Sequence, residues 1–203
     1  MYKFFASLLY LIIVVIRRKL KVIDKKYLPK EPGYILTCTH RSMVEIVILA
    51  LAVYPQEVNY MAKKELFKNK FMNGFFSSVG AFPVNRENPG PSTLKTPVKL
   101  LKENKTVGMF PSGSRNEGAP IKKGAATIAV LSKKQIVPAV YQGPLSFSSL
   151  LFGKEKAVIQ FSPSIDPNDY DMSKAEAIAA ITRDVDARMK MMSEALEKKI
   201  TEK

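Results

Sequence analysis

The fold of this chain is indicated by the stretch Gly33-Tyr34-Ile35-Leu36-Thr37-Cys38-Thr39-His40-Arg41-Ser42-Met43-Val44-Glu45. Its first half, Gly33 to Thr39, has the length and apolar content of a β-strand, and the longer apolar run from Met43 to Val53 is typical of a helix. The only histidine of the chain, His40, therefore lies in the turn between strand and helix. Such turns expose side chains, so this turn is a candidate for a functional site.

The same alternation of strand and helix continues along the chain. Further strands are predicted near residues 58–62, 81–85, 106–110, 136–140 and 157–161, and further helices near 64–79, 92–104 and 122–133. A last helix begins at the capping-box pattern Ser173-Lys174-Ala175-Glu176 and continues as an apolar stripe to Ile200. This order predicts an α/β fold with a central, mostly parallel sheet flanked by helices.

The N-terminus carries much of the positive charge. Net charge is +14 over 203 residues, and residues 1–30 hold eight basic residues against the single acid Asp24. The uncharged run from Phe4 to Ile16 is shorter than the roughly 20 residues that a membrane-spanning helix needs. We expect residues 1–29 to form an uncleaved helix that associates with the cytoplasmic face of the cell membrane and meets anionic lipids, as a peripheral or monotopic element. The alternative is a buried N-terminal helix; a nucleic-acid-binding arm is disfavoured because the basic tract has no interleaved aromatics.

Composition excludes several classes of protein. An apolar fraction of 46% is enough for a real core, and one cysteine cannot form an internal disulfide. The sequence has no Cys/His cluster with metal-ligand spacing, no Gly-x-Gly-x-x-Gly and no Walker loop. We therefore expect neither a metal nor a cofactor.

His40 and Glu45 form the candidate catalytic pair. Imidazole is suited to take a proton from an alcohol near neutral pH, and a carboxylate on its other nitrogen fixes the tautomer and stabilises the imidazolium. On a continuous helix, residues five apart would face about 140° away from each other, so the pair requires His40 to lie outside the helix. Taken alone, the six residues from His40 to Glu45 favour a surface or capping histidine over a catalytic one.

Three later segments give this pair a context. They are Gly80-Ala81-Phe82-Pro83-Val84-Asn85-Arg86, Phe110-Pro111-Ser112-Gly113-Ser114-Arg115 and Ile136-Val137-Pro138-Ala139. Together with His40 to Glu45, they resemble, in order, the four motifs of the glycerophospholipid acyltransferase family, in particular its bacterial 1-acylglycerol-3-phosphate acyltransferases. The resemblance implies that residues 30–203 form an acyltransferase domain.

The resemblance also implies roles for individual residues. His40 would be the general base and Glu45 the residue that orients it. The substrate phosphate would be bound by Arg86, Gly113, Ser114, Arg115 and Lys123. This fits the chemistry, since arginine binds phosphate in bidentate geometry and glycine lets backbone N–H groups approach an anion. Without the motifs, both arginines would be read as solvated or paired with surface acids.

Two positions depart from the family pattern. Glu45 stands where the family normally has Asp, and Ser112 where it normally has Glu. The longer Glu45 side chain keeps the charge but sets the geometry less tightly. These departures leave open a catalytically weak relative that binds lipid.

The predicted reaction is transfer of a fatty acyl group to 1-acylglycerol 3-phosphate, which yields phosphatidate for phospholipid biosynthesis. The donor implied by the resemblance is acyl-CoA or acyl-carrier protein, and the acceptor is a lysophospholipid. Glycerol 3-phosphate is the alternative acceptor. A competing mechanism, in which the thiol of Cys38 is the nucleophile, is disfavoured because the resemblance implies direct transfer without a covalent enzyme intermediate.

Overall fold

The computed structural model describes residues 2–85, 91–113 and 119–201, and within them seven strands form one sheet. The strands are β1 Leu20–Ile23, β2 Ile35–Cys38, β3 Val58–Lys63, β4 Ala81–Val84, β5 Thr106–Met109, β6 Ile136–Gln142 and β7 Ala157–Phe161. The α-helices are α1 Tyr2–Leu9, α2 Val44–Val53, α3 Lys70–Ser78, α4 Ser92–Lys102, α5 Gly124–Ser132, α6 Phe147–Phe152 and α7 Lys174–Thr201. The α/β fold predicted from the sequence is confirmed.

The strands lie in the order β1-β7-β6-β2-β5-β3-β4. All neighbouring pairs are parallel except β6 and β7, which are antiparallel, so β1 and β7 run against the other five strands. All six predicted strands are present within a few residues. The sequence prediction missed β1, a four-residue edge strand that pairs with β7 inside the basic tract.

Helices cover both faces of the sheet. On one face, α2 packs with the N-terminal helix and α6 around buried residues such as Leu36 and Ile159. On the other, α4, α5 and α7 enclose Ile35, Val107 and Val140. The predicted apolar stripe of α7 is buried there at Ile181, Val185, Met189 and Leu196. Helix α2 is apolar on nearly every side because the sheet and other elements surround it.

The N-terminal helix is shorter than the predicted element of residues 1–29. Helix α1 continues as a π-helical segment, Tyr10–Ile16, and the chain then enters the sheet at Leu20. Expecting one helix up to residue 29 was therefore wrong, because residues 20–23 are extended and pair with β7 as an edge strand. No helix in the described part of the chain is long and apolar enough to cross a membrane.

Two further elements differ from the sequence prediction. The helix expected over 64–79 is divided into a short 3-10 turn, Lys64–Phe67, and α3, which begins where the side chain of Asn69 accepts a hydrogen bond from the Met72 N–H at 2.6 Å. Helix α6 was not predicted. Its N-cap is Ser146, whose hydroxyl accepts a hydrogen bond from the Ser149 N–H at 3.1 Å.

Candidate active site

The candidate site lies at the carboxyl ends of neighbouring parallel strands, where open α/β sheets commonly bind ligands. His40 follows β2, and Phe110 follows β5, which is the neighbour of β2 in the sheet. The two rings therefore meet: their centroids are 4.2 Å apart, with 24° between the planes. This stacking holds the imidazole against one wall of the site.

Glu45 lies near His40 because helix α2 begins only at Val44, after His40. Residues 39–43 form a turn before α2 begins at Val44, so Glu45 lies in the first helical turn and its side chain points back into the loop. Its Oε2 lies 3.6 Å from His40 Nδ1 and accepts a hydrogen bond from the Arg41 N–H at 2.6 Å. The carboxyl is fully buried, and the histidine side chain is 5% exposed.

The His40–Glu45 distance is slightly longer than a hydrogen bond. Glu45 Oε1 and His40 Nδ1 are buried without a hydrogen-bond partner among the described residues. A small rotation of the imidazole would place its Nδ1–H on the carboxylate, and catalytic contacts often tighten only when substrate binds. With Nδ1 facing Glu45, the other nitrogen, Nε2, is left to accept a proton from a substrate.

Two clefts meet at His40. The first, about 800 Å³, is mostly apolar and passes between α2, α3 and the N-terminal helix, with Phe5, Ile46 and Phe76 among its walls. The second, about 550 Å³, is more polar and lies between the loop that follows β2 and one side of α7. His40 lines both, so a molecule reacting there can extend in two directions of different polarity.

Part of the predicted phosphate site lies outside the described residues. Arg86, Ser114 and Arg115 are in this group. Gly113 is described: it has a φ of +63°, which favours glycine, and it lines the apolar cleft beside His40. Lys123 is exposed next to α5 and lines neither cleft, so the structure does not bring its side chain to His40.

Lys122, which the sequence prediction did not select, is the lysine beside Gly113. A Cβ built on Gly113 would be 3.5 Å from Lys122 Nζ, and the Lys122 N–H donates to the Pro111 carbonyl oxygen at 2.9 Å. The sequence shows two adjacent lysines, Lys122 and Lys123, but not which of them lies beside Gly113. That depends on how the backbone before α5 packs against Pro111.

Comparison with known proteins decides the family. The family model described as Acyltransferase matches residues 19–142. A 1-acyl-sn-glycerol-3-phosphate acyltransferase of Bacillus subtilis is 43% identical over 199 residues, which cover 97% of this chain and 99% of the relative. The chain belongs to the acyltransferase family.

Two other comparisons extend this result. The acyltransferase is 35% identical to a 1-acyl-sn-glycerol-3-phosphate acyltransferase of Streptococcus pneumoniae over 81% of this chain and 62% of that relative. Its fold is similar to the crystal structure of the 1-acyl-sn-glycerophosphate acyltransferase of Thermotoga maritima, with a TM-score of 0.72 and 19% identity over 97% of this chain and 78% of that one. The second likeness supports the mostly parallel, helix-flanked sheet.

The thiol of the acyltransferase is poorly suited to be a nucleophile. Cys38 is fully buried at the end of β2, and its burial, with a further contribution from the Glu45 carboxylate, raises the pKa of the thiol well above its ordinary value. The thiol therefore stays protonated near neutral pH, and a protonated thiol is a weak nucleophile. This observation favours His40 over Cys38 as the reactive group. Among residues 2–85, 91–113 and 119–201, no group of three His, Cys, Asp or Glu side chains is placed to hold a metal ion.

Proposed function

We propose that this acyltransferase moves a fatty acyl group from a thioester to the free hydroxyl of 1-acylglycerol 3-phosphate, giving phosphatidate and a free thiol. The observation that carries the proposal is the His40–Glu45 pair at the junction of an apolar and a polar cleft. It is supported by the names of the relatives from B. subtilis and S. pneumoniae.

The chemistry follows from the two ring nitrogens of His40. Nε2 takes the proton of the acceptor hydroxyl as its oxygen attacks the thioester carbonyl carbon. The carbon–sulfur bond of the resulting tetrahedral intermediate then breaks, and the imidazolium returns the proton to the leaving thiolate. Glu45, whose Oε2 lies 3.6 Å from Nδ1, stabilises the transient imidazolium, whose charge would otherwise be costly at a buried position.

The apolar cleft is suited to a fatty acyl chain. Its walls are mostly carbon, and burial of each methylene there contributes about 0.8 kcal/mol. The acceptor phosphate is assigned to the loops that contain Arg86 and Gly113 to Arg115, with Lys122 or Lys123 adding positive charge. Among those of these residues that the structure describes, Gly113 lines the apolar cleft.

Substituting Arg86 or Arg115 by alanine should raise KM for the phosphorylated acceptor by tenfold or more, because each change removes a two-pronged hydrogen-bond donor for phosphate. KM for the acyl donor should stay within twofold. Lysine at either position should restore acceptor binding only in part, since it keeps the positive charge but cannot form the bidentate hydrogen bonds of a guanidinium group. Steady-state kinetics with each substrate varied in turn would measure this, and unchanged acceptor kinetics in both alanine variants would place the phosphate elsewhere.

We also propose that the N-terminal helix attaches the enzyme to the membrane. Its outer side exposes Phe4, Leu8, Leu11 and Val15, with Phe4 70% exposed. Basic residues follow the helix, but not all of them can meet lipid head groups. Lys19 is buried and donates to the carbonyl oxygens of Gly153 and Glu155, while Arg17 donates to that of Leu151. Arg18, Lys21, Lys25 and Lys26 remain as candidates for anionic lipid.

The triple variant Phe4→Ser, Leu8→Ser, Leu11→Ser should bind anionic phospholipid vesicles at least tenfold more weakly than wild type. The reason is that each large apolar side chain contributes about 1.5–3 kcal/mol when it leaves water. A matched control is Leu131→Ser, Met172→Ser, Met191→Ser, which changes exposed apolar residues away from this helix. Truncation is less suitable, because removing residues 1–26 would also remove β1 from the sheet. Equal binding by both triple variants, measured by vesicle co-sedimentation, would contradict the assignment.

A panel of acceptors tests the proposed reaction. Purified enzyme with an acyl thioester should acylate lysophosphatidate, and it should act much more slowly on glycerol 3-phosphate, which has no acyl chain to bury. Faster turnover of glycerol 3-phosphate than of lysophosphatidate would identify glycerol 3-phosphate as the acceptor. Lipid binding without turnover of any acceptor would identify a non-catalytic relative.

A further inference from the structure

The polar cleft has no role in the reaction as described so far. An acyl thioester has an apolar chain and a polar pantetheine arm, which are joined at the carbon that the acceptor attacks. That carbon must come within reach of His40, so chain and arm must leave the site in two directions. Of the two clefts that meet at His40, the apolar one suits the acyl chain and the more polar one suits the pantetheine arm.

The charges described in the walls of the polar cleft are balanced, which suits a neutral occupant. The described walls hold three basic residues, Arg41, Arg183 and Lys190, and three acidic ones, Asp186, Glu194 and Glu197. Lys190 Nζ also lies 2.7 Å from Asp186 Oδ2, so this pair is largely neutralised. A neutral chain of amides can use hydrogen-bond donors and acceptors of both kinds.

The shape of the cleft supports the same occupant. One wall is the loop after β2, where Thr39 directly precedes His40, and another is the side of α7 from Thr182 to Glu197. Pro111, Ser112 and the residues from Ala119 to Ile121 also line the cleft. About 16 residues of helix rise roughly 24 Å at 1.5 Å per residue, so the wall is long enough for an extended arm. A groove of this kind leads from solvent to His40.

We propose that the polar cleft between the loop after β2 and helix α7 binds the pantetheine arm of the acyl donor, so that arm and acyl chain lie on opposite sides of His40. This proposal rests on the proposed function, because it assumes a thioester donor. It assigns α7 a part in donor binding in addition to its packing on the sheet.

Cysteine protection tests this placement. The only native cysteine, Cys38, is fully buried, so Ser193→Cys introduces a single accessible thiol on the cleft side of α7. Saturation with a stable thioether analogue of an acyl-CoA should slow maleimide labelling of Cys introduced at position 193 by at least tenfold. Lysophosphatidate should have little effect on that rate. Ala195→Cys, at an exposed position of the same helix that does not line the cleft, should be labelled at the same rate with either ligand.

The outcomes separate the two proposals. Saturation by the thioether is first established by calorimetry on the variant. Saturable binding without protection at position 193, or protection by lysophosphatidate in place of the thioether, would overturn the placement while wild-type acyl transfer still supported the reaction. Absence of acyl transfer by wild-type enzyme would instead reject the proposed function. A second variant, Ser193→Trp, should raise KM for acyl-CoA by about tenfold and leave KM for lysophosphatidate within twofold.

Discussion

Replacing His40 by alanine should lower kcat for acyl transfer by about 10²- to 10⁴-fold, the usual contribution of a positioned general base. The loss should appear in kcat, since the imidazole acts on the hydroxyl proton and makes little of the ground-state contact with lipid. The protein should stay folded, because the ring packs at the edge of the sheet against Phe110. Circular dichroism and the thermal midpoint would confirm this.

Cys38→Ala is the matched control for His40→Ala. Cys38 lies two residues earlier, and its buried thiol is protonated near neutral pH, so its loss should change kcat by no more than a few-fold. Near-normal turnover by folded His40→Ala, together with an inactive Cys38→Ala, would contradict general-base catalysis by His40 and support the Cys38 thiol as a nucleophile. The pair of variants therefore distinguishes the two mechanisms.

Glu45→Gln should reduce kcat by about 10²-fold or more, because the neutral amide no longer stabilises the imidazolium. Glu45→Asp should stay within about tenfold of wild type, since it keeps the charge that acts on Nδ1. The rate of single turnover for each variant would measure the effect on the chemical step.

An Asp variant as inactive as the Gln variant would change the interpretation of Glu45. Oε2 of Glu45 also accepts the Arg41 N–H, a contact that the shorter side chain reaches less easily. Equal loss would mean that this hydrogen bond, which holds the turn of residues 39–43, matters more than the charge.

The layout of the fold could be predicted because most elements have a clear apolar pattern. Strands such as Ile136–Gln142 are buried along nearly their whole length and are bounded by polar residues. Strand β1 lacks this signal, since it is only four residues long, contains Lys21 and depends on β7 for pairing. Helix α6 was missed because six residues do not show a helical period.

The candidate site could be predicted only in part. The residue types and spacing of His40 and Glu45 indicated a possible pair. Their 3.6 Å separation, however, requires α2 to begin at Val44, so that His40 lies outside the helix. The stacking of Phe110 on His40 requires β5 to lie beside β2, which strand order in the sequence does not reveal. The polar cleft likewise depends on α7 crossing near His40, about 140 residues later in the chain.

The most direct test of this account is the initial rate of phosphatidate formation by purified wild-type enzyme from an acyl thioester and lysophosphatidate, with His40→Ala as the blank. We expect saturable formation of phosphatidate with one free thiol released per product, at a rate at least 10²-fold above the blank. Release of thiol without phosphatidate, or equal rates for wild type and blank, would contradict the assignment of acyl transfer to His40.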